Sequence, residues 1–181
     1  MNEYIENWLS TLLVPKFGFL DSQEADIHTE DIAHSLSLLC RFGGHVSKFY
    51  SVAEHSVLVS RVLAKEKANQ LTQFGGLLHD AEEAYLPDIP NPIKQHMTEA
   101  LAIYAMLQTV IYDKFKLGKA DWTHIIDIDR RICITEAKAL GLWNKDWANV
   151  GPLLESPVYG WTPRKAEREF LALYEYLKAG L

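Results

Sequence analysis

The chemistry in this chain concentrates in Gly75-Gly76-Leu77-Leu78-His79-Asp80-Ala81-Glu82-Glu83-Ala84, where an apolar run leads straight into an imidazole and three carboxylates. On a helix, some of these polar groups would face the core. Burying such a cluster costs several kcal/mol unless a partner compensates, and a cation is an efficient partner. His55 is a second piece: Val52 and Val59 lie three before it and four after it, so its imidazole projects from an apolar helix face. Asp129 is a third, bracketed by Ile125 and Ile132 at helical spacing. Alone, each has an ordinary explanation, a satisfied core histidine or a carboxylate paired with an arginine. Together, three separate helices place an imidazole or a carboxylate on an apolar stripe. Two neutral imidazoles and two carboxylates suit one borderline-to-hard divalent cation with positions left for water and substrate.

The elements that must position these groups read as helices. Residues 2–13 carry Ile5, Trp8, Leu9 and Leu12 at amphipathic spacing, and residues 15–23 read as loop. Thr29, followed by Glu30 and Asp31, predicts a helix start that runs through Ile32, Leu36 and Leu39 to Arg41, where Gly43-Gly44 breaks it. Further helices are expected over 52–67, 74–85, 98–115 and 124–142. Pro87, Pro90 and Pro92 hold the segment Asp88-Ile89-Pro90-Asn91 out of regular helix. Residues 143–159 are mixed, and Thr162-Pro163 opens a last helix through Leu177. With no repeat, linker or low-complexity tract, the expectation is one all-α domain over residues 1–181, a helical bundle.

Composition narrows the function. The 181 residues are 48% hydrophobic and 23% charged, with a net charge of -6 and no Lys/Arg block, which argues against a nucleic-acid polymer as partner. A locally gripped phosphate remains compatible, because a bound metal supplies positive charge inside an acidic protein. Cys40 and Cys133 are expected to be buried free thiols. No signal peptide and no membrane-spanning run is evident, so the expectation is a cytoplasmic protein.

The ordered set His55, His79-Asp80 and Asp129 resembles the H…HD…D signature of the HD-domain phosphohydrolase superfamily. Tyr50-Ser51-Val52-Ala53-Glu54-His55-Ser56, and the block from His79 through Tyr85-Leu86-Pro87-Asp88-Ile89-Pro90-Asn91-Pro92-Ile93-Lys94, are similar to the bacterial 5′-deoxynucleotidases and their phage deoxynucleoside triphosphate hydrolase relatives. The similarity spans about residues 31–140. It implies that His55, His79, Asp80 and Asp129 hold one divalent ion: manganese, cobalt, nickel, zinc, iron or magnesium. Asp127 competes with Asp129. The run Asp129-Arg130-Arg131-Ile132-Cys133-Ile134-Thr135-Glu136 fits the family's final motif better, and Asp127 falls roughly 200° away on a helix.

The resemblance further makes Glu83, four residues after His79 and so on the same helix face, the acid that orients or deprotonates the attacking water. It makes Asp88 the acid that protonates the leaving oxygen, whereas Glu82 is expected on a solvated face. Arg41 matches the arginine that grips phosphate, and Phe42 stands where the nucleotidases carry a tryptophan against the substrate. Asn91 and Lys94 complete the expected substrate contacts. His34 and His45 flank Arg41, where an ordinary satisfied histidine explains each equally well. His28, His96 and His124 read as surface or capping residues, and Trp143, Trp147 and Trp161 as core or dimer-contact aromatics.

The implied reaction is metal-assisted hydrolysis of a nucleotide phosphate ester, with a 5′-deoxynucleoside monophosphate as leading substrate. A deoxynucleoside triphosphate is the alternative, and a non-catalytic nucleotide sensor is a second. Members of the family are often homodimers.

Overall fold

A computed structural model describes residues 7–142, 153–155 and 157–181. It is all-α apart from one short hairpin. Seven helices are described: α1 (Thr29–Leu38), α2 (Val52–Lys65), α3 (Gln70–Leu78), the four-residue α4 (Asn91–Lys94), α5 (Thr98–Lys114), α6 (Trp122–Ala139) and α7 (Pro163–Lys178). No helix among the described residues is long and apolar enough to cross a membrane.

The middle of the bundle is α2, which packs against α1, α3, α6 and α7. Its sequence explains the placement: every residue from Val52 to Ser60 is buried, and the Ser51 hydroxyl caps its first turn by accepting from the Glu54 amide. Gly76 lets α3 approach it closely, because a Cβ there would collide with Leu63 Cδ1 and press on Val59. Ile32, Leu36, Val57, Leu77, Phe74, Ile111 and Phe170 close the main core around this contact. Fully burying one such side chain contributes ~1.5–3 kcal/mol. A smaller cluster of Val59, Leu63, Ile125, Ile128 and Ile132 fixes α6 on the other flank, with the Asp121 side chain capping that helix.

Several expectations are corrected. The described part of the expected N-terminal helix is instead a strand, β1 (Trp8–Leu9), paired antiparallel with β2 (Phe17–Gly18) inside the stretch read as loop. Asp31 anchors this hairpin through the Leu13 amide (2.9 Å) and the Thr11 hydroxyl (2.7 Å). Thr29 is the first helical residue, not the cap; the cap position is His28, with no side-chain bond, and α1 ends at Leu38. The proline-framed segment is irregular through Pro90, but Asn91 already belongs to α4. The largest correction concerns the helix expected over 74–85. It stops at Leu78, His79 closes it, Asp80 leaves helical geometry, and Ala81–Ala84 form a tighter 3₁₀ turn. Both cysteines are free and half-buried, and Cys40 sits outside any helix. Trp161 is a core aromatic, whereas Trp143, Trp147 and most of the stretch read as mixed lie outside the described residues.

Candidate metal centre

Three elements deliver the predicted ligands to one spot. His55 comes from the first turns of α2, His79 and Asp80 from the end of α3, and Asp129 from the middle of α6. The two Nε2 atoms lie 3.2 Å apart. Asp129 Oδ1 is 3.1 Å from His55 Nε2 and 3.7 Å from His79 Nε2. Asp80 Oδ2 is 3.2 Å from His79 Nε2 and 3.6 Å from His55 Nε2. Donor atoms of His55, His79 and Asp80 all lie within 4.8 Å of one another, so this group can hold a metal ion. The spacing fits: bonds of ~2.1 Å at tetrahedral or octahedral angles separate neighbouring donors by roughly 3.0–3.4 Å.

The far side of each ring fixes which nitrogen is available. His79 Nδ1 lies 2.9 Å from the Gly76 carbonyl, which can only accept, so Nδ1 carries the hydrogen. His55 Nδ1 lies 2.7 Å from Glu136 Oε1. Glu136 is fully buried, yet His55 and Arg41 outweigh that burial and hold its carboxyl below the usual range, so it too accepts. In both neutral rings Nε2 is therefore the lone-pair nitrogen, and two lone pairs meet where only a proton or a cation reconciles them.

The surrounding charge has the same sense. Burial opposes a charge on His79, but Asp80 and Asp129 prevail and raise it well above the ordinary histidine value. Burial and Arg41 oppose a charge on His55, and Glu136 with Asp129 tips it upward. Against their own burial, Asp80 is held down to about 2, chiefly by His79, and Asp129 well below its ordinary value by both histidines. A spot that attracts protons this strongly attracts a divalent ion as well.

Glu136 is the residue that sequence reasoning missed as a functional group. Besides His55 it accepts from the Tyr50 hydroxyl at 2.7 Å and from Arg41 Nε at 3.2 Å. The signal was present: Glu136 lies seven residues after Asp129, ~20° away around the helix. Arg41 is buried, and its Nη1 is also 3.5 Å from Asp80 Oδ2. Its backbone is strapped to the start of α2: the Arg41 amide donates to the Tyr50 carbonyl (2.9 Å), the Val52 amide to the Leu39 carbonyl (3.1 Å), and Cys40 bridges to Ser51.

Other expectations divide. Phe42 stands beside Arg41, with the guanidinium 5.5 Å from its ring centre, and takes a left-handed φ of 57° that costs a non-glycine residue strain. Glu83 does not share an α-helical face with His79, because the helix has ended. It is still buried, with Oε1 on Lys94 Nζ at 3.1 Å and Oε2 unpartnered among the described residues. Burial, then Asp80 and Asp88, push its carboxyl well up. Asp88 is half-buried and also raised, by burial against the pull of Arg41. Lys94 lies 3.8 Å from the Tyr104 ring centre as well as on Glu83. Asn91 is exposed at the start of α4.

Glu82 is not on a solvated face. It is buried and accepts from the Gln108 amide at 3.1 Å. Burial and the charge of Asp80 push it up to about 8. Asp127 points to solvent and pairs with Arg131, away from the cluster. His34 pairs with Glu167 and His124 with Glu66; His45 and His96 are exposed.

No family model matches the chain. It is 41% identical over 149 residues to the uncharacterized protein YfdR of Escherichia coli (strain K12), a match covering 82% of this chain and 79% of that one. It is also 37% identical over 91 residues to an uncharacterized protein of Rhodobacter capsulatus, covering 48% of this chain and 46% of the relative. The chain belongs to the same family as YfdR.

Proposed function

We propose that this protein is a metal-dependent phosphohydrolase of the HD-domain type, which hydrolyses the phosphate ester of a nucleotide. The leading substrate is a 5′-deoxynucleoside monophosphate, released as deoxynucleoside and phosphate. The observation that carries the reading is the facing pair of imidazoles. Their Nε2 atoms lie 3.2 Å apart with both Nδ1 atoms committed elsewhere, and Asp80 and Asp129 stand beside them. His55, His79, Asp80 and Asp129 would hold the ion. When bound, a divalent cation acidifies water and neutralises charge on phosphoryl oxygens.

The chain's own residues account for the rest. Arg41, held at Nε by Glu136, keeps part of its fork for phosphate oxygens and so orients the ester. Glu83, with one oxygen on Lys94 and the other free of partners among the described residues, orients the attacking water. Asp88 sits in a less enclosed place and carries an upward shift, which suits a carboxyl that delivers its proton to the leaving sugar oxygen. A non-catalytic sensor has no use for two such acids beside a cation site. Nucleotide substrates and two free thiols both fit a cytoplasmic location.

The test is a panel of deoxynucleoside mono- and triphosphates and ribonucleotides assayed against manganese, cobalt, nickel, zinc, iron and magnesium. Phosphate release from a monophosphate supports the reading. Pyrophosphate or triphosphate release moves it to a triphosphate hydrolase. Tight binding of a nucleotide without product overturns the enzyme reading in favour of a sensor.

A further inference from the structure

Beside the paired imidazoles a cavity of about 490 Å³ opens between the end of α3, α5 and α6. Its inner end is formed by Asp80 and Asp129, and beyond them stand Glu82, Gln108, Tyr112 and Trp122, with Ile126 also on the lining and 56% exposed. The volume lies inside the ~300–1,000 Å³ range of small-ligand pockets. Its chemistry differs from that of the Arg41 side. No lysine or arginine lines it among the described residues, and three carboxylates do. Away from the ion site no lysine or arginine there pairs with a phosphate, which leaves the space to the uncharged part of a substrate.

What the cavity offers is a flat apolar wall and an amide-like edge. Tyr112 and Trp122 stack on each other with ring centres 4.3 Å apart and planes 18° from parallel. The Tyr112 hydroxyl donates to the carbonyl of His79 at 3.3 Å, which ties this wall to the histidine of the metal centre. Gln108 spends one amide hydrogen on Glu82 Oε1. Glu82 Oε2 is buried and has no partner among the described residues. The unspent part of the Gln108 amide, held on the enclosed Glu82 carboxyl beside the aromatic pair, matches the polar edge of a planar heterocycle, as in pockets that hold an extruded base.

We propose that this cavity is the subsite for the base of the nucleotide, seated against Trp122 and Tyr112 with its polar edge toward Gln108 and Glu82. The inference rests on the nucleotidase reading and extends it: the ester lies across the histidine pair, phosphate toward Arg41 and base toward Trp122. Base recognition then comes from stacking and one amide edge, which tolerates several bases and discriminates strongly against a substrate with none.

The experiment compares Gln108→Leu and Ile126→Trp with the parent chain. Gln108 is half-exposed and Ile126 exposed, so both variants spare the core; Trp122→Ala is a third whose fold is checked by circular dichroism. Dissociation constants for the four deoxynucleoside monophosphates and for base-free deoxyribose 5-phosphate are measured by calorimetry with manganese present. Turnover of the same compounds is measured in parallel. The parent chain is expected to prefer nucleotides over deoxyribose 5-phosphate, and each variant to reduce that preference at least about fivefold, the low end of what base stacking contributes. Equal affinity of the parent for nucleotide and base-free ester overturns the subsite, as does a preference that the variants leave intact. Nucleotide hydrolysis in either case leaves the nucleotidase reading standing. Binding that depends on Gln108 and Ile126 without any turnover keeps the subsite and sinks the hydrolase.

Discussion

Glu136 accepts a hydrogen bond from Nδ1 of His55 at 2.7 Å while its other oxygen takes Nε of Arg41 at 3.2 Å. One buried carboxylate thus orients a proposed metal ligand and a proposed phosphate grip. Glu136→Gln keeps the shape, but turns a donor toward either the imidazole or the guanidinium. The expected outcome is a folded protein whose affinity for manganese falls roughly 10–100-fold, as for other partners of metal-binding histidines. Calorimetric titration of the ion checks it, and an unchanged affinity refutes the role. Glu136→Ala strips the shared acceptor from the buried Arg41 Nε, the His55 Nδ1 and the Tyr50 hydroxyl and should lower stability by ~3–5 kcal/mol.

Asp127 and Asp129 lie two residues apart and provide an internal control. Asp129→Ala should abolish tight ion binding, together with the stabilisation that a saturating ion brings, about 2.7 kcal/mol at a hundredfold excess over Kd. Asp127→Ala removes an exposed pair with Arg131 and should change stability by no more than ~0.5 kcal/mol, leaving ion binding intact. Thermal melts with and without manganese separate the two.

Glu82 gives the protein a pH signature in the presence of a chelator. Its ordinary value of 4.5 rises to about 8 on folding, because burial and Asp80 disfavour the charge. The folded state therefore holds a proton that the unfolded chain has already lost. That contribution to stability is fully present below the ordinary value and is lost as pH rises toward and through about 8. Glu82→Gln should raise the melting temperature relative to the parent at about pH 9 and not at about pH 4. Parallel declines in parent and variant would show that Glu82 is charged in the fold.

Phe42 carries a left-handed backbone beside Arg41. Phe42→Gly should relieve strain of the order of 1 kcal/mol, so stability should hold or rise. The same change removes the ring next to the guanidinium, so under the proposed function KM for a nucleotide should rise. Melting and steady-state kinetics on one preparation test both halves; a stability loss beyond ~1 kcal/mol would contradict the strain argument.

The residues legible in the sequence were those whose polarity interrupts an apolar stripe. His55 between Val52 and Val59, and Asp129 between Ile125 and Ile132, were placed by helical period alone, and both helices form around them. Glu136 obeys the same period, but its partners Tyr50 and Arg41 come from outside the helix, so the period alone does not show what it holds. A helical projection misassigns the faces of Glu82 and Glu83, because the α-helix ends before them. The chain's turn at Asp80 leaves no local mark among good helix formers. The hairpin of Trp8–Leu9 with Phe17–Gly18 escaped for another reason: two-residue strands are held by pairing across the chain, which a local apolar pattern does not record.

The tie between residues 39–41 and 50–52 fixes how far the guanidinium of Arg41 stands from the imidazole of His55, whatever happens in between. Beyond Phe42, residues 43–49 hang outside that tie as a mostly exposed excursion. Insertions or deletions within this excursion should be absorbed by the surface, whereas a single-residue slip at Ser51 would shift the whole of α2 against its neighbours. Variation in length therefore has a permitted place, and it lies next to the proposed catalytic residues without touching their spacing.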